Sequence, residues 1–450
     1  MKKSTQFRDR SALLWTLAMG LTLFTAKSTR ADTSLPCAQC SPAVSLSREV
    51  GTITHPSAPV DSNLTSETRD LLQSLRTPQR TGILFGHQNS TFYGLDENAK
   101  SWKNNGTQNT DRSDVKTATG SHAALLGADI ADAIHNGFNS KIPSNGDEIR
   151  RNFQAAARRG QVVTLSWHAH DPINPEWDYD DFANHQKDPA LWEKMDPNKK
   201  DRRSRCEAIL NDPKVNGNFM KSLESMAGLF KSIKDDQGKP IPILFRPFHE
   251  QTGAWFWWGK GHCSEKDFAD IWRLTVRTLR DKHDVHQLIY VYSPNQMNDT
   301  PGTYYQGYPG DEYVDVLAID AYHDLDTEAG AAKTGQDLAW MVREARKKGK
   351  VAALSETGLE SFLTGKWGGG VAGTPNPKWF SQNLGRALTT DPDASDLAYI
   401  MVWRNGSESH HYFPGPWETE VIEDFKAFKK KHGVYLLDDW NDSRLSCEKR

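Results

Sequence analysis

Cysteine is scarce in this chain, charge is nowhere concentrated, and past residue 26 no apolar run approaches the length that spans a bilayer. Each shortage closes off a class. A formal net charge of −3 with both signs dispersed leaves no basic stripe for nucleic acid and no acidic, solvated tail. The five cysteines include one Cys-x-x-Cys, Cys37 and Cys40, but it lies in a Pro/Ser-rich stretch with no strand–helix–strand pattern around it, so a redox motif is not indicated. Cys206 and Cys263 fall in loop-like segments, and a bridge between them is the expected one; Cys447 is left without an assigned partner. No second module is visible, so a separate binding domain within the chain is not expected.

What is present begins at the N-terminus. Lys2, Lys3, Arg8 and Arg10 precede an apolar run from Ala12 to Ala26, followed by Thr29-Arg30-Ala31. That is the layout of a secretory signal, with cleavage expected after Ala31. A membrane anchor is the alternative, but the run is short for one. Residues 32–60 are rich in Ser, Pro, Thr and Ala and read as a linker. The expected layout is a signal peptide (1–31), a linker (32–60), one catalytic domain (61–440) and a short tail (441–450). Export to the periplasm or medium, no membrane after cleavage, no nucleic acid and a monomeric state follow as expectations.

From residue 61 the text alternates short apolar runs with helical patterns. Strands are predicted at 83–85, 123–126, 162–166, 241–245, 288–292, 316–319, 351–354 and 398–402. Helices are predicted at 67–76, 147–159, 218–234, 265–281, 335–348, 377–388 and 421–430. Continuous apolar strands joined by crossover helices indicate a parallel sheet, and eight of them predict an α/β fold, a (β/α)8 TIM barrel. The connection from Ser293 to Asp315 shows no clear helix, and a doubly wound open sheet is the alternative. Polar and aromatic residues gather just past nearly every strand, among them His87, Asp129, Trp167-His168, Asp320, Tyr322, Glu356 and Trp403-Arg404. In a closed barrel those ends converge on one face.

The densest chemistry spans 244–259, Leu-Phe-Arg-Pro-Phe-His-Glu-Gln-Thr-Gly-Ala-Trp-Phe-Trp-Trp-Gly. It delivers Arg246, His249 and Glu250 together, followed at once by four aromatic residues. A carboxyl moves protons, while flat rings cover the apolar faces of sugars and leave their hydroxyls free. Fifteen tryptophans in the chain point the same way, although many must fill core. A second carboxylate, Glu356, ends the seventh strand. Alone it could be a helix cap; paired with Glu250 across a barrel mouth it completes the two-carboxylate set of a glycosidase. Arg246 and Tyr322 would keep Glu356 ionised, and the wall at Trp255 and Phe256 would raise the pKa of Glu250.

Arg246-Pro247-Phe248-His249-Glu250 with Gly253-Ala254-Trp255-Phe256-Trp257-Trp258-Gly259 resembles the acid/base signature of glycoside hydrolase family 26, mainly endo-β-1,4-mannanases. Ser355-Glu356-Thr357-Gly358 is similar to that family's nucleophile segment. Phe85-Gly86-His87, Ser166-Trp167-His168, Asp320-Ala321-Tyr322 and Val402-Trp403-Arg404-Asn405 stand in the matching order. The resemblance covers residues 60 to 440. It implies a (β/α)8 barrel, a retaining double displacement on β-1,4-mannan, galactomannan or glucomannan, and no metal or cofactor. Glu250 would be the acid/base and Glu356 the nucleophile, supported by His249, Tyr322, Arg246 and Asp320. Trp167, Trp255 and Trp403 would wall the cleaved bond, while His87, His168 and Arg404 would hold sugar hydroxyls. Mixed-linkage β-glucan and β-1,3-xylan are alternative substrates within the family, and a non-catalytic carbohydrate-binding barrel is the alternative outside it. His168-Ala169-His170 departs from the pattern and could open a metal site of an amidohydrolase, although such a pair would normally follow the first strand rather than the third. The segment 171–206 is a candidate for closing one end of the cleft.

Overall fold

The computed structural model describes residues 56–76, 82–104, 109–134, 146–174, 203–297, 301–364, 366–367, 371–372 and 375–448. The expected signal, most of the linker, Cys37, Cys40, the side chain of Cys447 and residues 175–202 lie outside them.

Eight parallel strands close into a ring, so the open-sheet alternative falls. They are β1 (Ile83–Gln88), β2 (Leu125–Asp129), β3 (Val162–Trp167), β4 (Ile243–Pro247), β5 (Leu288–Tyr292), β6 (Val316–Ala321), β7 (Val351–Thr357) and β8 (Tyr399–Val402). Each pairs with the next, and β8 pairs back to β1 through Leu84↔Tyr399 to His87↔Val402. A two-residue β9 (Val434–Tyr435) joins the start of β1. The fold class is therefore the α/β (β/α)8 barrel. Helices include α1 (Ser66–Leu75), α2 (Asp114–Thr119), α3 (Gly146–Arg159), α4 (Arg205–Asn211), α5 (Pro213–Ser232), α6 (Glu265–Arg277), α7 (Glu328–Lys347), α8 (Gly385–Thr390), α9 (Thr419–His432) and α10 (Leu437–Glu448). Between β5 and β6 lie short 3₁₀ turns at Pro301–Tyr305 and Asp311–Tyr313, in keeping with the helix-free reading of that connection.

The strands are buried on both faces, and the core divides along their alternation. Leu244, Ile289, Val291, Ala318, Ala353, Tyr399 and Met401 form one apolar cluster. Phe245, Tyr290, Tyr292, Leu317, Leu354, Ile400 and Val402 belong to another. Successive side chains of a strand point to opposite faces, so the first cluster fills the barrel and the second meets the helices. Hydropathy alone cannot show this period, because both faces are apolar.

The interior cluster is completed by residues from the two ends of the expected domain. Leu71, Leu72 and Leu75 of α1 join the interior cluster, as do Leu437 and Trp440 of α10. Ordered structure also reaches past both ends of the expected 61–440 domain. The 441–450 tail is mostly helix, since α10 continues to Glu448 and anchors itself through buried Trp440. The linker ends before residue 60, because Ser57 N already donates to Gly349 O at 3.1 Å and Val60 N to Asp315 Oδ1 at 2.9 Å. Helix α5 starts at Pro213, earlier than predicted, because Asp212 caps it by accepting from Lys214 N and Val215 N. Among the described residues no helix is long and apolar enough to cross a membrane.

Candidate active site

Strand parity explains which side chains reach the barrel mouth, and one irregularity decides the most important. In β7, Val351 and Ala353 point inward and Leu354 outward. Strict alternation would then send Glu356 outward. The register between β6 and β7 slips by one residue, from Ile319↔Leu354 to Asp320↔Glu356, leaving Ser355 as the extra residue of a bulge. A bulge re-aims the side chain that follows it. Glu356 thereby takes the inward parity of Asp320, its new partner.

There Glu356 meets a buried network. Arg246, inward on β4, bridges the two carboxylates: Nη1 donates to Asp320 Oδ2 at 2.6 Å and Nη2 donates to Glu356 Oε2. Tyr322 Oη donates to Glu356 Oε1 at 2.7 Å, so both carboxylate oxygens act as acceptors. Burial above all, then the Glu356 charge, holds the Tyr322 hydroxyl well above the usual phenol range, keeping it a donor. Burial opposes the Arg246 charge, but Asp320 and Glu356 outweigh it and the guanidinium stays protonated. Burial pushes Asp320 up to about 7; Arg246 pulls it down and Glu356 adds to the push. Ser355 Oγ, on the bulge itself, lies 2.7 Å from Asp320 Oδ1 and 2.8 Å from Ser293 Oγ.

Glu250 arrives by a different route. After Pro247 ends β4, Phe248 and Glu250 adopt φ of 50° and 57°, a left-handed backbone that bulky residues seldom take. Glu250 N donates to Ser293 O at 2.7 Å, which pins this strained turn over the end of β5. The indole of Trp255 then folds back and donates from Nε1 to Glu250 Oε2 at 2.6 Å. It can do so because residue 253 is glycine; a Cβ there would stand 2.3 Å from the Trp255 ring. Glu250 is 9% exposed and Glu356 5%. Burial holds Glu250 well above the usual carboxyl range, the charges of Glu356 and Asp320 add to the shift, and the Trp255 hydrogen bond and Arg246 oppose it. The two carboxyls thus face one another electrostatically. One is kept as a proton donor while the other is held by two hydrogen-bond donors.

Two histidines stand beside Glu250. His168 Nδ1 is 2.6 Å from Asp129 Oδ2, and its Nε2 is 3.1 Å from His249 Nε2. Burial, then the positive charge of Arg246, pushes His249 well below its ordinary pKa, so its ring is neutral. Both nitrogens of His168, the first histidine of His168-Ala169-His170, are thus engaged within the protein. Among the described residues no group of three or more His, Cys, Asp or Glu side chains could hold a metal. Trp255, Trp403 and Tyr322 are half-buried at the mouth, with the Trp403 ring 5.8 Å from that of His168. Arg404 Nη1 donates to Tyr93 Oη at 3.2 Å.

Two expected sugar contacts are placed differently. Trp167 has outward parity on β3 and is 2% exposed, stacked on Phe219 at 5.9 Å and tilted against Phe248 at 5.1 Å. Its faces serve packing between barrel and helices. His87 is likewise outward, because Gly86 takes the inward position against Leu125 and Met401. It is fully buried against Phe413, and burial drives its pKa down to about 3. Sequence reasoning missed the contacts of Ser355 with Asp320 and Ser293, Tyr412, whose ring lies 5.8 Å from Tyr322, and the role of Asp129 as anchor of His168. Asp129 carried a signal, its place at a strand end; Tyr412 carried none.

A bridge joins Cys206 at the start of α4 to Cys263 at the end of the Glu250 loop, as expected from the sequence.

Comparison with known proteins bears on the family and the fold. The model of Glycosyl hydrolase family 26 matches residues 60–357. A mannan endo-1,4-beta-mannosidase from Bifidobacterium adolescentis is 31% identical over 380 residues, 82% of this chain and 34% of that protein. One from Bacillus subtilis is 26% identical over 285 residues, 60% of this chain and 67% of that protein. The solved structure of a Cellulomonas fimi endo-beta-1,4-mannanase double mutant superposes with a TM-score of 0.71 at 29% identity, covering 87% of this chain and 80% of that one. This chain therefore spans about a third of the Bifidobacterium protein's length. With the family match running from the first packed residues to just beyond Glu356, the chain belongs to glycosyl hydrolase family 26.

Proposed function

We propose that this chain is an exported, retaining endo-β-1,4-mannanase acting as a monomer on mannan, galactomannan or glucomannan. Glu250 protonates the departing glycosidic oxygen while Glu356 attacks the anomeric carbon, forming a covalent glycosyl-enzyme. Glu250, now ionised, takes a proton from water, which displaces Glu356 and restores both groups. Arg246 and Tyr322 hold the nucleophile in line, and Asp320 fixes Arg246. His168 and His249 line the same mouth, and Trp255, Trp403 and Arg404 contact the sugars. Residues 1–31 direct export and are removed.

The observation that carries this reading is the opposite treatment of two buried carboxyls. Glu250 sits under Trp255 with its pKa raised, and Glu356 accepts from both Arg246 and Tyr322. Retention needs such a pair roughly 5–5.5 Å apart, whereas inversion needs a wider gap for water. The mannan-cleaving names of the relatives favour mannan within the family. The test is incubation of the purified protein with β-1,4-mannan and, separately, with mixed-linkage β-glucan. Soluble mannooligosaccharides from the first are expected. Efficient cleavage of the glucan alone would reassign the substrate.

A further inference from the structure

A buried carboxylate outside the reacting pair ties together two loops on one side of the mouth. Asp114, at the start of α2, is 2% exposed. It accepts from Leu95 N at 3.0 and 3.1 Å, from Trp102 Nε1 at 3.0 Å and from Asn405 Nδ2 at 2.8 Å. Leu95 and Trp102 belong to a hairpin after β1, in which Tyr93–Leu95 pairs antiparallel with Ser101–Lys103. Asn405 belongs to the loop after β8. Since β8 and β1 close the barrel, Asp114 stitches the two loops that flank its seam.

The stitch is specific in what it presents. Tyr93 lies on the same short strand as Leu95, and its hydroxyl accepts from Arg404, the neighbour of Asn405. Asn405 passes the restraint onward, because its Oδ1 accepts from Tyr412 N and Phe413 N, each at 3.0 Å. Tyr412 in turn packs against Tyr322. Ser101 Oγ donates to Gly406 O at 3.0 Å and makes a second tie across the seam. Glycine at 94 is what lets the hairpin close on the carboxylate, since a Cβ there would stand 2.2 Å from Asp114 Oδ1. Burial pushes Asp114 up to about 6 in spite of its donors, so placing a carboxylate here opposes stability. An apolar side chain of the same volume would leave Leu95 N, Trp102 Nε1 and Asn405 Nδ2 buried without this acceptor. The carboxylate therefore holds the hairpin and the loop after β8 in one arrangement through three donors from the two of them.

We propose that Asp114 is a positioning residue that sets the Tyr93–Arg404 wall along the seam between β8 and β1, and thereby governs affinity for the glycan rather than the rate of bond cleavage. It acts through Asn405 and the hairpin and touches no reacting atom. The inference rests on the reading of the chain as a β-glycan hydrolase. Asp114→Asn replaces an acceptor with a donor facing Asn405 Nδ2 and breaks the stitch at constant shape. Tyr93→Phe removes the hydroxyl that Arg404 addresses and leaves the carboxylate intact.

The full chain and these two variants are compared in steady-state kinetics on mannohexaose, or on mixed-linkage glucan oligosaccharides should the wild type cleave those instead. The expected result is KM raised about tenfold in each variant with kcat within about twofold of wild type. The double variant is expected to show little more than the larger single effect, because both changes act on one wall. An unchanged KM in Asp114→Asn, or a fall in kcat at constant KM, overturns the inference. If Asp114→Asn fails to fold, Tyr93→Phe decides by the same KM criterion. A wild type inactive on both glycans would instead refute the hydrolase reading and take this inference with it.

Discussion

Trp255 acts on Glu250 in two opposing ways. Its ring helps exclude water, which favours the neutral acid, while its N–H donates to Glu250 Oε2, which favours the anion. Burial wins, and Glu250 keeps its proton to a pH well above the usual carboxyl range. Loss of that proton should set the alkaline limb of the kcat/KM profile. Trp255→Phe keeps an aromatic wall but removes the donor, so the anion loses support and the Glu250 pKa rises further. The alkaline limb should move to higher pH, whatever the variant loses in sugar stacking. A limb that stays in place or moves to lower pH would show that this hydrogen bond does not tune the acid. Side chains such as Glu250, Arg246 and Trp255 were legible in the sequence because one short segment carries them all. The packing of Trp167 was not legible, because a tryptophan at a strand end looks alike whether it faces the mouth or the helices. Only parity, invisible in a strand apolar on both sides, separates the two cases.

At the scale of elements, loops and one bulge do what regular structure cannot. Eight strands and most of their helices were legible from apolar runs and helical spacing. The bulge at Ser355 was not, since nothing in Leu354-Ser355-Glu356-Thr357 marks an extra residue, yet it turns Glu356 from the helix side to the mouth. Nor was α10, whose two apolar anchors, Leu437 and Trp440, are too few to show a helical stripe against its charged residues. The Glu250 loop takes two positive-φ residues and ends at a disulfide to α4. Cysteines 57 residues apart in sequence close a long loop. Replacing both with alanine should cost roughly 2–4 kcal/mol of stability by the loop-entropy argument. It should also lower kcat by loosening the segment that carries Glu250. Denaturant unfolding and kinetics of the double variant check both effects. Unchanged stability together with unchanged kcat would show that the bridge neither closes the loop productively nor steadies the acid.

At the scale of the whole molecule, closure is what makes a site from distant pieces. Arg246, Glu250, Asp320, Tyr322 and Glu356 come from three strands and the turns after them, and Asp129 with His168 from two more. An open sheet would have left these strand ends spread along an edge; the ring gathers them over one mouth. The sequence hinted at this through the polar residues after successive strands, although it could not say which of them turn inward. The most direct measurement of the reading is trapping with a slow 2-deoxy-2-fluoro mannoside bearing a good leaving group, followed by peptide mass mapping. A glycosyl adduct on Glu356 is expected, formed in the wild type and in Trp255→Phe but absent in Glu356→Ala. An adduct on any other residue, or turnover that inverts the anomeric centre with no adduct at all, would contradict it.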